Sequence, residues 1–496
     1  MVGLSANLTA HSARTKFTRA PRLSSMTPEE SLHYTDVTAE TKPADASVAK
    51  EFFISVITRD IGLERAILDL VDNSVDGARR MRGTDPPSGD KWHPSQRYEG
   101  LRIDLVISKD QFLISDNCGG IPLKVAQQYA FRFGRSQDAP IEVRTPHAIG
   151  LFGIGMKRAL FKLGKHFQVE STSDRTRFVI DQNVAQWQGR DKWDFPFDMV
   201  QRFDSDVPEA SRGTTITVTD LHPTVREDFD RENWRNELIN ELRDALREPI
   251  AQGLKATVNK VEIKAERPAL YESDRIRPYI TQFSPESDPQ VTVRLYVGVA
   301  EGNLDRAGWY VFCNDRLVIP GDQTSLTGWG EKEPARIPKF HNQYHRFWGY
   351  AYLDSDDPAR LPWNTTKTGI DVDSPLWRAV RQQMILAMKP VTDFLNALRK
   401  EERGRSKATE TQVRRTPLIR EWENARESRR ELTSLSGNPE RFLWPDLLPE
   451  EPGPKEVLIK YTRPEVEVER AMSFFRVRSA ADVGLQTFLY WQTAES

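Results

Sequence analysis

The sequence predicts an α+β protein that begins with a two-layer sandwich of helices on a sheet. Residues 64–80 place apolar side chains at helical spacing on one face, which would pack on a sheet. Residues 101–107 repeat apolar side chains at every second position, and residues 112–115 follow as a second strand. Residues 149–160 then lead from glycines into another helix. A smaller α/β domain and a C-terminal extension are expected after this sandwich.

Length and composition exclude several classes of protein. The 496 residues predict about three domains, and the net charge of −2 gives no overall basic field that attracts nucleic acid. The two cysteines, Cys118 and Cys313, imply no disulfide scaffold and favour a reducing cytoplasm. No apolar run approaches the roughly 20 residues of a membrane span, and the N-terminus lacks a signal-peptide core. We therefore expect a cytoplasmic protein with no membrane partner.

Residues 1–46 are expected to form a flexible N-terminal arm. They are rich in Ser, Thr, Ala and Arg, and no acidic residue precedes Glu29. A transit peptide has the same composition, but a disordered tail, or an arm that orders on dimerisation, is the interpretation that we adopt. A helix is predicted over residues 47–58, and the Gly-, Pro- and Ser-rich residues 83–100 predict a surface loop.

The polar face of the helix over residues 64–80 carries Asp69, Asn73 and Asp76, with Asp72 at its edge. These positions are neighbours on a helix surface, so the carboxylates repel one another. A cation on this face would relieve the repulsion. An octahedral Mg²⁺ that keeps its waters and takes one or two protein oxygens would suit it. An ordinary solvated acidic face is the alternative interpretation.

The stretch Asp69-Leu-Val-Asp-Asn-Ser-Val-Asp76 resembles the N-box helix of the GHKL ATPases. That class holds gyrase B, heat-shock chaperones, histidine kinases, MutL and the MORC proteins. The resemblance implies a Bergerat-type α/β sandwich, with ATP and Mg²⁺ bound, Asn73 as the metal ligand and Asp76 beside the nucleotide. It makes Asp69 the base that orients and deprotonates the attacking water. The family has Glu there; bacterial MORC-like members share the shorter Asp, so action through a second water or slow turnover is expected.

The second motif is the turn of residues 116–122, DNCGGIP, which resembles the family's D-x-G-x-G. Asp116 and Gly120 match that pattern, whereas Cys118 replaces the middle glycine and Gly119 is displaced by one position. The resemblance implies that Asp116 receives the adenine amino group and that Gly120 lets the backbone approach closely. A tight hairpin with an Asp-Asn turn is the alternative.

Residues 123–147 are expected to form an ATP lid. Within it, Arg135 and Ser136 are candidates to reach phosphate, although an arginine in a loop is more often solvated. The lid leads into the third motif.

The third motif is the glycine loop, in which Gly150, Gly153 and Gly155 match the family's G-x-x-G-x-G. Glycines that open onto a helix N-terminus present free N–H groups and a positive dipole end, which bind phosphate. Lys157 would add a positive charge. A P-loop is excluded because Met156, not Lys, follows the last glycine. The helix should bury one apolar face, formed by Met156, Ala159, Leu160 and Leu163.

The fourth motif lies on a strand predicted over residues 212–221, where Gly213 and Thr214 match the family's Gly-Thr strand. There the Thr hydroxyl supports the adenine-binding Asp through a water. Further strands are predicted over residues 166–172 and 177–180. One Gly-Thr pair says little, but the four motifs in their usual order define an ATP-binding domain over residues 47–225.

Residues 226–400 are expected to form a transducer-like domain. The stretch YVFCNDRLVI and the loop LPWNTTKTGID resemble a strand and a loop of that domain. The resemblance implies that Lys367 swings to the γ-phosphate of ATP only on closure, and a surface lysine is the alternative. The predicted elements are strands over residues 291–299 and 309–319 and a helix over residues 376–398.

Residues 401–496 are expected to hold a charged linker and a small interaction region. Residues 399–432 are densely charged with Arg in excess, and we interpret them as a solvated helix or linker rather than a nucleic-acid contact. Residues 449–456 are predicted to form a second linker. The C-terminal end carries enough apolar side chains for a docking unit: Phe474, Phe475, Val477, Phe488, Leu489, Tyr490 and Trp491.

The motifs together predict a Mg²⁺-dependent ATPase whose N-terminal domains dimerise on ATP binding as a clamp or switch. By its likeness to bacterial MORC-like and MutL-like chains, the homodimer would serve a DNA-related process such as defence or repair. DNA or a partner protein would bind through the C-terminal region. The alternative is a nucleotide-sensing module or chaperone-like switch with little hydrolysis, which Asp69 in place of Glu favours. A histidine kinase is disfavoured, because it needs a phospho-acceptor His on a dimerising helix ahead of the acidic helix. Only His11 and His33 precede that helix, and both lie in tail-like sequence.

Overall fold

The computed structural model of the chain describes residues 46–83, 97–134, 147–150, 153–364, 366–405, 417–445 and 462–495. The chain divides into two compact units, Met1–Val56 and Ile57–Ser496. The described part of the first unit, residues 46–56, contains the start of helix α1 (Lys50–Arg59), close to the predicted bounds. The elements below belong to the second unit. No helix in these ranges is long and apolar enough to cross a membrane.

The first sheet has eight strands and supports the predicted sandwich. The strands are β1 (Arg102–Ile107), β2 (Gln111–Asp116), β3 (Gly164–Thr172), β4 (Thr176–Asn183), β5 (Met199–Arg202), β6 (Gly213–Leu221), β7 (Lys255–Val258) and β8 (Val261–Glu262). Their spatial order is β5–β4–β3–β6–β2–β1–β7–β8, with only β1 and β7 parallel. The pattern predicts that the first domain ends at residue 225, but β7 and β8 complete its sheet from beyond that point.

Helices α2 and α4 pack against each other and on the strands β2, β3 and β6. The predicted apolar face of α2 is confirmed, because Ile67, Val71 and Ala78 are completely buried. The mixed α/β architecture that the sequence predicts is therefore confirmed. The helices of this part are α2 (Leu63–Arg82), α3 (Leu123–Val125), α4 (Gly155–Leu163), α5 (Val184–Gln188), α6 (Pro223–Asp230), α7 (Glu232–Ala245) and α8 (Arg247–Ala251).

The second sheet has five strands in the order β10–β11–β14–β12–β13, and a separate pair joins β9 to β15. Strands β12 and β14 run parallel, and the other neighbours run antiparallel. The long helix α9 covers β11 and β14. The elements are β9 (Ala269–Tyr271), β10 (Tyr279–Phe283), β11 (Thr292–Val299), β12 (Gly308–Cys313), β13 (Arg316–Asp322), β14 (Phe347–Asp354), α9 (Pro375–Arg405) and β15 (Arg429–Glu431).

The single strand predicted over residues 309–319 is wrong, because the chain turns back between β12 and β13. Asn314 and Asp315 form the turn with φ angles of 48° and 61°. Two consecutive residues with positive φ are typical of the tight turns that match the twist of a hairpin, and Asn and Asp tolerate that conformation. Because apolar side chains precede and follow this turn, the sequence resembles one continuous strand.

Part of the predicted charged linker is folded. Helix α10 (Pro417–Arg426) packs on α9 and buries Leu418, Trp422 and Ala425. Their spacing of four and three residues forms a narrow apolar stripe inside a strongly charged sequence. Strand β15, which follows it, pairs with β9 and so joins residues 429–431 to the second sheet.

The C-terminal helices α11 (Glu465–Phe475) and α12 (Ala480–Glu495) pack against each other. Several of their large apolar side chains stay exposed, including Phe474 at 72% and Trp491 at 52%. Docking through this region stays a prediction. Most of the predicted N-terminal arm and the linker of residues 449–456 lie outside the described residues.

Candidate functional site

The polar face of α2 is buried except at one position. Asp69, Asp72 and Asp76 have at most 6% of their surface exposed, whereas Asn73 between them is exposed. Since buried carboxylates are strongly disfavoured without partners, each acid must be compensated. The structure shows two kinds of compensation along one helix.

Asp69 and Asp72 are compensated by cationic side chains from three other segments. Arg158 of α4 lies 2.5 Å from one oxygen of Asp69, and the Lys367 ammonium lies 3.2 Å from the other. Lys367 also lies 2.8 Å from Asp72, whose second oxygen is 3.1 Å from the Arg316 guanidinium of β13. The last contact lacks hydrogen-bond alignment at Arg316 Nε, so it is an ion pair. The cation expected on this face is thus supplied, at these two acids, by the protein itself.

These contacts also set the protonation states. Burial alone would raise the pKa of Asp72, but Arg316 and Lys367 lower it on balance. Burial would lower the pKa of Lys367, but Asp72 and Asp69 raise it on balance. Both groups therefore stay charged at neutral pH. The motif predicts that Lys367 enters the site only on closure, but its ammonium already lies there, because the two buried carboxylates attract it.

Asp76 is held mainly by backbone N–H groups, and the Arg79 guanidinium lies 3.7 Å from one of its oxygens. Its two oxygens accept hydrogen bonds from the backbone N–H groups of Ile149 and Gly150, each at 2.8 Å. A charged acceptor on two backbone donors holds the start of the glycine loop against α2. In this arrangement Asp76, which the motif places beside the nucleotide, acts by positioning the loop.

The glycines of this loop allow it to lie close to the acidic helix. A Cβ at Gly150 would lie 3.7 Å from the Asn73 amide oxygen, and one at Gly155 would lie 3.0 Å from the Asp69 carboxyl carbon. Gly153 has a φ of 67°, which favours glycine. Helix α4 begins at Gly155, as predicted, and the first N–H groups of a helix have no partner within the helix itself. The loop therefore places the N-terminus of α4, a type of site that can bind phosphate, next to Asp69 and close to Asn73.

Asn73 is the residue of this face that is open to a ligand. No hydrogen bond of its side chain is found within the described ranges, and its amide oxygen lies next to the glycine loop. Mg²⁺ commonly binds through one or two protein oxygens together with phosphate and water. The described residues contain no cluster of three His, Cys, Asp or Glu that could hold a metal. Asn73 thus fits a Mg²⁺ that arrives with a nucleotide, and does not fit a metal held by protein alone.

Asp116 lies at the end of β2, where it contacts α2 at Ser74. Its carboxylate accepts hydrogen bonds from the Ser74 hydroxyl at 2.7 Å, the Cys118 N–H at 2.8 Å and the Thr214 N–H at 3.3 Å. Burial raises the pKa of Asp116, and these three donors oppose the shift. The carboxylate is fixed in orientation by the helix, the turn and β6 together.

The turn after Asp116 needs its glycines. Gly119 and Gly120 have φ angles of 90° and 67°, and a Cβ at Gly120 would lie 2.0 Å from the Thr172 carbonyl oxygen. The match of Gly120 to the motif therefore has a steric basis. The displaced Gly119 is required as well, because a Cβ there would lie 2.6 Å from the Met81 side chain.

Thr214 supports this region differently from the family pattern. Its backbone N–H, rather than its hydroxyl, faces Asp116. The hydroxyl lies 2.9 Å from the Ser171 hydroxyl, whose oxygen accepts the Ile121 N–H at 2.7 Å. Thr214 thus links the turn after Asp116 to β3.

Lys157 has a structural contact that the motif does not predict. Its ammonium donates to the carbonyl oxygens of Ala130, at 2.9 Å, and of Gly153, and it is almost fully buried. It therefore ties the start of the lid to the glycine loop. Contact of Lys157 with phosphate stays a prediction. Arg135 and Ser136 lie outside the described residues.

The tip of the β12–β13 hairpin reaches the end of the lid. Arg79 of α2 donates to the carbonyl oxygens of His147 and, at 2.6 Å, of Asn314. The Asn314 amide in turn donates to the carbonyl oxygens of Ala148 and Ser355, each at 3.1 Å. The second sheet therefore contacts the segment from which the glycine loop begins.

The sequence analysis does not predict five residues that the structure places in the site: Ser74, Arg79, Arg158, Asn314 and Arg316. Arg158 leaves one signal, since an arginine beside the apolar face of α4 needs a buried partner. For Asn314 and Arg316 the sequence carries no signal, because their partners on α2 and in the lid are far away along the chain.

The comparison with known families agrees with this geometry. Residues 61–214 match the family model described as histidine kinase-, DNA gyrase B-, and HSP90-like ATPase. The match begins just before α2 and ends at Thr214, so it contains the acidic helix, the Asp116 turn and the glycine loop. None of the curated proteins matches the chain. Residues 61–214 therefore form an ATPase domain of the GHKL type.

Proposed function

We propose that the chain binds ATP with Mg²⁺ and hydrolyses it slowly. The observation that carries this proposal is the convergence on α2 of a glycine loop, an exposed Asn73 and a fixed Asp116. The loop supplies N–H donors for phosphates, and Asp116 supplies an oriented acceptor for an amino group. Because these groups contact the same helix, they match a ligand that has a base at one end and phosphates at the other.

Each group then has one task. Asp116 accepts a hydrogen bond from the adenine amino group, while Ser74 and the Thr214 N–H keep its carboxylate in place. Asn73 would hold the Mg²⁺, which when bound would supply positive charge to neutralise the phosphates. Lys367 shares its ammonium between the carboxylates and the terminal phosphate, since all three attract it.

Asp69 is the candidate base, and its environment explains why turnover should be slow. Both of its oxygens contact cations, Arg158 and Lys367. To take a proton from water, the carboxylate must first weaken one of these contacts. A terminal phosphate that attracts Lys367 would free one Asp69 oxygen at the moment when water must be activated. The same double contact supports the second candidate function, a nucleotide-sensing switch with little hydrolysis.

We propose further that the nucleotide controls a homodimer and that the chain works as a clamp in a DNA-related process. The contacts of Asn314 with the end of the lid support a link between nucleotide and second sheet. The DNA-related role rests on the likeness of the Asp69 motif to bacterial MORC-like chains. The exposed apolar side chains of α11 and α12 favour a protein partner at the C-terminal end.

Asp116→Ala should weaken ATP binding by about 10- to 150-fold, because a hydrogen bond to a charged group contributes about 1.5–3 kcal/mol. Isothermal calorimetry measures this change. Asp110→Ala is the matched control, since Asp110 is exposed at the opposite end of β2. Equal ATP affinities in the wild type and in Asp116→Ala would place the adenine elsewhere.

Asp69→Asn should keep ATP binding and lose turnover by about 10²- to 10⁴-fold, the usual contribution of a general base. Phosphate release under single-turnover conditions measures the loss. Asp69→Glu is the control that keeps the carboxylate and should keep turnover. Hydrolysis by Asp69→Asn at the wild-type rate would assign the base to another residue, and a wild type without turnover would favour the switch.

A non-hydrolysable ATP analogue should raise the dimer fraction, and ADP should not. A ligand shifts such an equilibrium only by its different affinity for the two states. The γ-phosphate, which ADP lacks, is the group that reaches Lys367 and the lid. Analytical ultracentrifugation measures the dimer fraction with the analogue, with ADP and without nucleotide. Identical sedimentation in all three conditions would contradict the clamp.

A further inference from the structure

The glycine loop begins with a segment, residues 147–150, whose backbone is held by side chains. The carbonyl oxygens of its first two residues accept hydrogen bonds from Arg79 of α2 and from the Asn314 amide of the β12–β13 turn. The N–H groups of its last two residues donate to Asp76. None of these four described residues belongs to a helix or a strand. The path of the segment therefore depends on the three side chains.

Asn314 is the one of these three that comes from the second sheet. It is 1% exposed, and its amide is fixed on the backbone that follows β14. The amide oxygen accepts the Ser355 N–H at 2.9 Å, and the nitrogen donates to the Ser355 carbonyl oxygen at 3.1 Å. A side-chain amide nitrogen carries two hydrogens, and the other donation goes to the Ala148 carbonyl oxygen, also at 3.1 Å. Asn314 therefore connects the second sheet to the start of the glycine loop.

The turn that carries Asn314 is itself bound to α2. Arg79 donates to the Asn314 carbonyl oxygen at 2.6 Å and lies 3.4 Å from a carboxylate oxygen of Asp315. Arg79 is almost fully buried, and hydrogen bonds from a charged donor are stronger than those from a neutral one. The Asn314 amide thus reaches the glycine loop from a turn that is held in place.

A loop that is held in advance matters for phosphate more than for a base. Ordering a loop during binding costs conformational entropy, so donors that are already in place bind a ligand more tightly. The segment leads to Gly150 and on to the N-terminus of α4, which the proposed function assigns to phosphates. Asp116, assigned to the base, is held by donors from α2, its own turn and β6 instead. Loss of the Asn314 amide should therefore affect the two ends of a nucleotide differently.

We propose that Asn314 is a positioning residue of the phosphate site, which holds the glycine loop in its binding path from the second sheet. This inference rests on the proposed ATP function and deepens it. It makes phosphate affinity depend on a residue outside the ATPase domain of residues 61–214. Because coupling between two sites is reciprocal, bound phosphates should in turn stabilise the contact between the β12–β13 hairpin and the loop.

Asn314→Gly in the full chain tests the role, since glycine accepts the positive φ of this turn and removes the amide. The variant should bind Mg²⁺–ATP about 2- to 30-fold more weakly than the wild type, the usual range for residues that couple two sites. Adenosine, which has no phosphate, should bind both proteins equally. Isothermal calorimetry measures ATP, and ligand-observed NMR measures adenosine. General damage to the fold would weaken both ligands, so equal losses for ATP and adenosine would overturn the positioning role.

Asn259→Gly is the matched control. Asn259 lies in the β7–β8 turn with a φ of 49°, close to the 48° of Asn314. Its amide also accepts and donates on one backbone, with the Ile107 N–H at 2.8 Å and the Ile107 carbonyl oxygen at 3.1 Å. These contacts lie within the first sheet and not at the glycine loop. Asn259→Gly should therefore bind ATP and adenosine like the wild type.

Hydrogen exchange of the wild type gives a second measurement that needs no variant. Backbone N–H groups of residues 308–322 should exchange more slowly with Mg²⁺–ATP than without ligand, and adenosine should leave them unchanged. Wild-type ATP affinity in Asn314→Gly, or exchange in the hairpin that ATP does not slow, would overturn the inference and leave ATP binding intact. A wild type that binds neither ATP nor adenosine would contradict the proposed function as well.

Discussion

The buried pair of carboxylates on α2 is the constraint on which the site depends. Asp69 and Asp72 are almost fully buried, and such charges are tolerated only with close counter-charges. The counter-charges come from Arg158, Arg316 and Lys367, which belong to three different segments. The pair therefore holds the glycine-loop helix, the β12–β13 hairpin and the Lys367 loop around one helix.

The same constraint links the two sheets to the proposed nucleotide site. In the proposed function, a phosphate beside Asn73 would meet the glycine loop and Lys367. Because Lys367 contacts Asp69 and Asp72, its movement toward a phosphate changes the balance of charge around Arg316 on the second sheet. Asn314 gives a second connection, through the backbone of Ala148. If the proposed function is correct, nucleotide contacts would therefore affect the position of the hairpin.

The sequence predicts the local part of this structure well. Helix α2, helix α4 and the Asp116 turn follow from periodicity and glycine placement, because nearby residues determine them. The β12–β13 turn is missed, since apolar residues on both sides of Asn314 imitate one long strand. The charge partners Arg158 and Arg316 are missed because their contacts join distant segments, which no local pattern records. The sequence thus predicts the secondary structure of a segment more readily than its contacts with segments that are distant along the chain.

The most direct test of the charge network is a double-mutant cycle on Asp72 and Arg316, measured as free energy of unfolding of the full chain. Arg316→Met alone should cost about 3–5 kcal/mol, because it leaves a buried carboxylate with one partner fewer. Asp72→Asn in the same chain should recover part of that loss, with a coupling of about 0.5–3 kcal/mol. Additive costs for the two substitutions, within about 0.5 kcal/mol, would contradict the claim that Asp72 holds the second sheet to α2.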